Sequence, residues 1–232
     1  MRQNGTLITD LDDVAVVESF GAQQPTIPRG LLPRGAACAE LHNEAGDLSQ
    51  FHALSAEEQE LVCGAVDRRK ADFGDSRWCA HQALKNFMDA HPPILRGPRG
   101  MPLFPEGVVG SLTHTAGFRA ALLAPVRRWA SVGIDAEKAI PLPEGVFNTI
   151  ARPGEQRRIR RTMRANDLQL LDTVLFSAKE ATYKAWFPLT HRFLDFDQAD
   201  NPPILSAASE APPVRLLSVR DAPHFRTPPG RR

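Results

Sequence analysis

NDLQLLDTVLFSAKEATYKAWFP, residues 166–188, reads as the longest and most regular helix of the chain. Leu171, Val174, Leu175, Ala178, Ala181, Thr182 and Ala185 recur every three or four positions and trace one stripe to bury. Ser177, Glu180 and Lys184 fall on a neighbouring face, so that face carries an acid and a base one turn apart. Asn166 or Asp167 is placed to cap the start, and Pro188 to stop the end.

Upstream, the pattern changes from helical to extended. Phe118–Pro125 and Trp129–Glu137 are two strand-like runs, with Val126–Arg128 read as a hairpin connection between them. Before them, His91–Gly107 is rich in proline and glycine and reads as loop. A helix is expected from about Arg69 to Met88, preceded by a short one to about Val66 that Ser55 and Glu58 open as a capping box. Residues 1–53 read as short strands and loops, and Arg152–Arg164 as a basic, solvated helix. Strands and helices separated by short gaps predict an α+β fold.

Composition narrows the function classes. A formal net charge of +1 over 232 residues gives no overall attraction for nucleic acid or a membrane surface. No apolar run approaches the roughly 20 residues of a membrane helix. The acidic N-terminus, with Asp10, Asp12, Asp13 and Glu18, lacks the basic start and apolar core of a signal peptide. The three cysteines, Cys38, Cys63 and Cys79, have no zinc-site spacing. Together these predict a reduced, cytoplasmic protein.

Four clusters carry possible chemistry. In Val132-Gly133-Ile134-Asp135-Ala136-Glu137, strand alternation puts Asp135 and Glu137 on one side, a spacing suited to a hard divalent cation or equally to a wet acidic face. Glu180 either adds a third carboxylate or forms a surface ion pair with Lys184. Gly110-Ser111-Leu112-Thr113-His114 sets small hydroxyls beside a histidine that can contact phosphate. Arg68, Arg69, Lys70, Arg77, Arg96 and Arg99 form a cationic group that matches phosphate oxygens or simply faces solvent.

The order and spacing of these motifs resemble the 4′-phosphopantetheinyl transferase superfamily, in its surfactin- and enterobactin-synthetase type. The residues that carry the resemblance are Gly110–His114, Val132–Glu137, Phe176–Lys184, Arg69–Phe73 with Arg77–Ala80, and Arg99–Pro105. It implies two similar α/β halves in a pseudo-twofold arrangement, 1–116 and 117–232, with the ligand cleft between them in a single-chain monomer. It also implies coenzyme A as co-substrate, an acyl or peptidyl carrier protein as acceptor, and Mg2+ on Asp135, Glu137 and Glu180. Arg69, Arg77, Arg99, Ser111 and His114 would hold phosphates, and Lys184 the pyrophosphate and leaving group. Glu180 is the candidate general base. Residues from about 201 depart from the family's aromatic-rich closing strands, with only Val214–Val219 strand-like, and read as truncated or diverged. A relative that binds coenzyme A or a carrier without turnover, and a magnesium-dependent phosphoesterase, are the alternative readings.

Overall fold

In the computed structural model, which describes residues 15–22, 24–44, 46–166, 170–199 and 214–219, the chain starts with two strands, β1 (Val16–Phe20) and β2 (Ala37–His42). Short helices α1 (Ser49–His52) and α2 (Ala56–Glu60) lead into α3 (Asp67–Leu84). The Ser55 hydroxyl accepts the Glu58 N–H at 3.3 Å, and the Glu58 carboxylate accepts the Ser55 N–H at 3.4 Å, so the expected capping box is formed. The loop that follows holds the two-residue strands β3 (Leu95–Arg96) and β4 (Pro102–Leu103), with a 3-10 turn at Pro98–Gly100 between them.

Next come β5 (Val108–Thr115) and β6 (Phe118–Pro125), joined by Ala116 and Gly117 in a hairpin. Gly117 adopts φ 76°, a conformation that glycine enters without a Cβ penalty. The main sheet has the order β1-β2-β6-β5, parallel between β1 and β2 and antiparallel elsewhere. Every residue of β6 is buried, because both faces of this sheet are covered. Ala121 and Leu123 face α3, where they meet Cys79, Ala80, Ala83 and Leu84. Ala120, Leu122 and Ala124 point the other way, into a cluster with Trp129, Val132 and Ile134. Each fully buried leucine in these layers contributes about 1.5–3 kcal/mol.

The strand bearing the acidic motif is β7 (Ser131–Ala136), and it does not pair with β6. It pairs antiparallel with β8 (Val214–Val219), which makes that stretch of the tail a strand; the rest of 201–232 lies outside the described residues. The expected hairpin through Val126–Arg128 is therefore a sheet-to-sheet crossing. β6 already has partners on both edges, β2 and β5, so no edge remains for β7. The main sheet ends in sequence at Pro125, and the β7–β8 pair begins at Ser131.

Helices α4 (Val146–Ile150), α5 (Pro153–Asn166) and α6 (Leu171–Thr190) lie between β7 and β8 in sequence. Two terminal expectations for α6 are corrected. Asn166 ends α5, Asp167 lies outside the described residues, and α6 starts at Leu170 without a side-chain cap. Asp172 in its first turn instead accepts the N–H of Thr173 at 2.8 Å and of Leu142 at 3.1 Å. At the other end Pro188 sits inside the last turn, where it removes one i→i−4 backbone hydrogen bond, and the helix closes at His191 with φ 53°.

Candidate active site

α6 lies across β7 at unusually close range, and Gly133 permits it. A Cβ at this position would fall 2.0 Å from the Ala181 carbonyl oxygen and 3.1 Å from the Ala185 nitrogen. The close approach brings Lys184 of α6 to Asp135 of β7. Its Nζ donates to Asp135 Oδ1 at 2.7 Å and to the Ile134 carbonyl at 3.2 Å. Asp135 is buried, and its Oδ2 has no hydrogen-bond partner.

The three predicted carboxylates interact electrostatically. Burial, then the negative charge of Asp135, raises the Glu180 carboxyl above its ordinary value, and Lys184 opposes the rise. Glu137 is raised for the same two reasons, with Glu180 adding to the effect and Lys184 again opposing. As they stand, no three His, Cys, Asp or Glu side chains among the described residues are grouped closely enough to form a coordination sphere. The donor chemistry nonetheless suits a hard cation: all donors are carboxylate oxygens, their charges repel, and one buried oxygen lacks a partner.

Beside this group opens a cavity of about 320 Å³. Arg69 and Arg77 of α3, Arg99 of the β3–β4 loop, Ser111 and His114 of β5, and Glu180 and Lys184 of α6 all line it. Seven of the nine predicted site residues thus line one cavity, while Asp135 and Glu137 are not in its lining, Asp135 meeting it through Lys184. The cavity is strongly cationic. Arg77 is buried, donates to the Ile94 carbonyl at 3.0 Å, and stacks 4.8 Å above the Phe73 ring. Burial lowers its pKa to about 10, which still leaves it charged at neutral pH. Arg99, at φ 53°, places its guanidinium 5.6 Å from the Phe193 ring of the segment after α6.

Ser111 and His114 take different positions. Ser111 is buried, and its hydroxyl accepts the Ile134 N–H at 3.1 Å, so its acceptor capacity is partly used between strands. His114 reaches solvent at the cavity rim. Its pKa lies below the ordinary 6.5, first through lost hydration and then through Arg69, Lys184 and Arg119, with Asp72 opposing.

Several contributors were not read from the sequence. Asp72 lines the cavity and pairs with the buried Arg119, which also donates to the carbonyls of Asn43 and Thr115 at 3.2 and 3.3 Å. Asp72 and Asn43 are 47 and 76 residues away in sequence, so no local pattern reveals them. Lys179 is fully buried; it pairs with Glu155 of α5 at 2.8 Å and donates to the carbonyls of Phe196 and Ala199. It braces α5 and the segment after α6 against the site helix. That segment closes a second cavity of about 230 Å³, lined by Tyr183, Phe193, Leu194 and Phe196, which shares Glu180 and Tyr183 with the first.

Comparison with known proteins matches this architecture in two adjoining parts. Residues 57–124 match the 4′-phosphopantetheinyl transferase N-terminal domain, and residues 131–223 match the 4′-phosphopantetheinyl transferase superfamily. The 4′-phosphopantetheinyl transferase Npt of Nocardia iowensis is 44% identical over 73% of this chain and 73% of its own length. PptT of Mycobacterium tuberculosis is 44% identical over 70% of this chain and 69% of its own. The enterobactin synthase component D of Salmonella typhi is more distant, at 32% over 67% and 65%. The chain belongs to the 4′-phosphopantetheinyl transferase superfamily, and it is an enzyme of that class.

Proposed function

We propose that this enzyme uses Mg2+ to move the 4′-phosphopantetheine group of coenzyme A onto a serine of an acyl or peptidyl carrier protein, releasing adenosine 3′,5′-bisphosphate. The observation that carries the reading is an arginine-lined cavity that ends on Lys184 and a group of repelling carboxylates. Phosphoryl-type transfer requires positioning and charge neutralisation above all. Arg69, Arg77, Arg99 and His114 supply cationic or polarising contacts for the phosphates of coenzyme A. The adjoining cavity, lined by Tyr183, Phe193, Leu194 and Phe196, suits a less charged arm. Glu180 lines both cavities, which supports a pyrophosphate position where they adjoin.

Asp135, Glu137 and Glu180 would hold Mg2+, which would neutralise charge on the pyrophosphate. The serine oxygen attacks the β-phosphorus, and the bond to the bridging oxygen breaks. Lys184 stabilises the charge that collects on the departing bisphosphate. Glu180 is also the candidate base that takes the serine proton, directly or through a metal-bound water. The site lies between a helix-on-sheet unit made by α3 and the main sheet and another made by α6 with β7 and β8. A pseudo-twofold monomer would build the cleft within one chain in this way. A cytoplasmic location follows from the substrates. No helix among the described residues is long and apolar enough to cross a membrane.

Intact-protein mass spectrometry of an apo carrier protein mixed with the enzyme, coenzyme A and Mg2+ tests the reading. One phosphopantetheine should be added, with Asp135→Ala abolishing the gain and Glu180→Gln slowing it by at least about 100-fold. Folded enzyme that modifies none of several carriers would instead act only as a binder of coenzyme A or carrier.

A further inference from the structure

Among the described residues the main sheet and the β7–β8 pair meet without a backbone ladder. Among the same residues β5 is the last strand of the main sheet and β7 pairs only with β8, yet β5 and β7 run side by side. Two hydroxyls of β5 span the gap. Ser111 Oγ accepts the Ile134 N–H at 3.1 Å, and Thr113 Oγ1 accepts the Ala136 N–H at 2.9 Å. Both donors and both acceptors are two residues apart, so one face of β5 fixes the register of β7.

Thr113 does more than Ser111. Its hydroxyl, buried and already accepting from Ala136, turns its proton toward Asp135 Oδ1 at 3.4 Å. Lys184 takes the same oxygen at 2.7 Å. Both partners of Asp135 therefore lie on Oδ1, and Oδ2 is left buried without one. A carboxylate held in this way keeps one oxygen available in a fixed direction.

We propose that Thr113 is a positioning residue. It locks the strand carrying Asp135 and Glu137 to the strand carrying His114, and it turns Asp135 so that Oδ2 is presented to the divalent cation. This rests on the reading of Asp135 as a metal carboxylate. A group that orients a metal ligand from behind commonly changes metal affinity or activity by about 10- to 100-fold when lost.

Thr113→Val keeps the side-chain shape and removes both hydrogen bonds, while Thr113→Ser keeps both. Isothermal titration of Mg2+ into the enzyme with coenzyme A present should show at least about tenfold weaker binding for Thr113→Val and near-normal binding for Thr113→Ser. In turnover, the Mg2+ concentration for half-maximal rate should rise by a similar factor, with the KM for coenzyme A moving less. Near-UV circular dichroism checks folding; if the valine variant misfolds, Thr113→Ala takes its place in the same titration. Unchanged Mg2+ affinity in a folded valine or alanine variant overturns the proposal, as does a serine variant as impaired as either. A wild-type enzyme that binds no Mg2+ and modifies no carrier would overturn the functional reading itself, and is distinguishable from both.

Discussion

His114 lines the cationic cavity, where the proposed function sets a phosphate of coenzyme A, and its depressed pKa makes it mostly neutral at pH 7 in the free enzyme. Lost hydration and the cations Arg69, Lys184 and Arg119 cause this, against the pull of Asp72. An anionic phosphate reverses the balance by favouring the imidazolium and its charged hydrogen bond. Binding then takes up a proton. Affinity tightens as pH falls through the bound-state pKa and levels off below the free-state one. For folding the sign is opposite: the depressed pKa adds stability above 6.5 that is lost as pH falls through the folded value. Calorimetry of adenosine 3′,5′-bisphosphate in buffers of differing ionisation enthalpy measures the uptake directly. His114→Gln should abolish that uptake, which separates it from protonation of the phosphate itself, and should weaken binding about tenfold. An unchanged proton count in the variant would remove His114 from the phosphate site.

The contact of α6 with β7 rests on Gly133, because the atoms facing it are backbone atoms of α6 that cannot swing aside. Gly133→Ala should cost about 3 kcal/mol or more, read as a lower urea midpoint, and should cut activity by displacing Lys184 from Asp135. Gly154 in α5 faces open space, so Gly154→Ala should leave the midpoint equal or slightly higher. Equal midpoints for the two variants would show that the helix can withdraw at little cost. At this scale the sequence was legible wherever the determinant was local. The Ser55–Glu58 capping box, the apolar run of β6 and the buried stripe of α6 depend on neighbours a few residues away. The β6–β7 connection was misread because adjacency in sequence suggests pairing, while β2, some 80 residues upstream, takes that edge of β6. The candidate site residues stood out as motifs but their supports did not. Nothing near Arg119 or Lys179 announces a buried cation whose partners arrive from other elements.

Across the whole molecule the formal charge is only +1, so any electrostatic preference must come from how charge is distributed. Helix α5 has two unlike sides. Glu155 points inward to Lys179, while Arg157, Arg160, Arg161 and Arg164 are exposed at positions that follow one helix face. Arg160 is engaged locally, donating to Asn148 at 2.7 Å and lying 5.6 Å from the Phe147 ring, which makes Arg161 and Arg164 the better probes. If this face meets the acidic surface of a carrier protein, it acts at long range through solvent and chiefly raises the rate of encounter. Arg161→Glu with Arg164→Glu should then raise the carrier's KM by about tenfold at 50 mM salt, leaving the KM for coenzyme A near its original value. The penalty should shrink as ionic strength rises, because the screening length falls from about 10 Å at 0.1 M to about 3 Å at 1 M. Steady-state kinetics at both salts measure the two constants together. A penalty that persists at 1 M would mean direct packing rather than steering, and no penalty at 50 mM would mean that the carrier docks on another face.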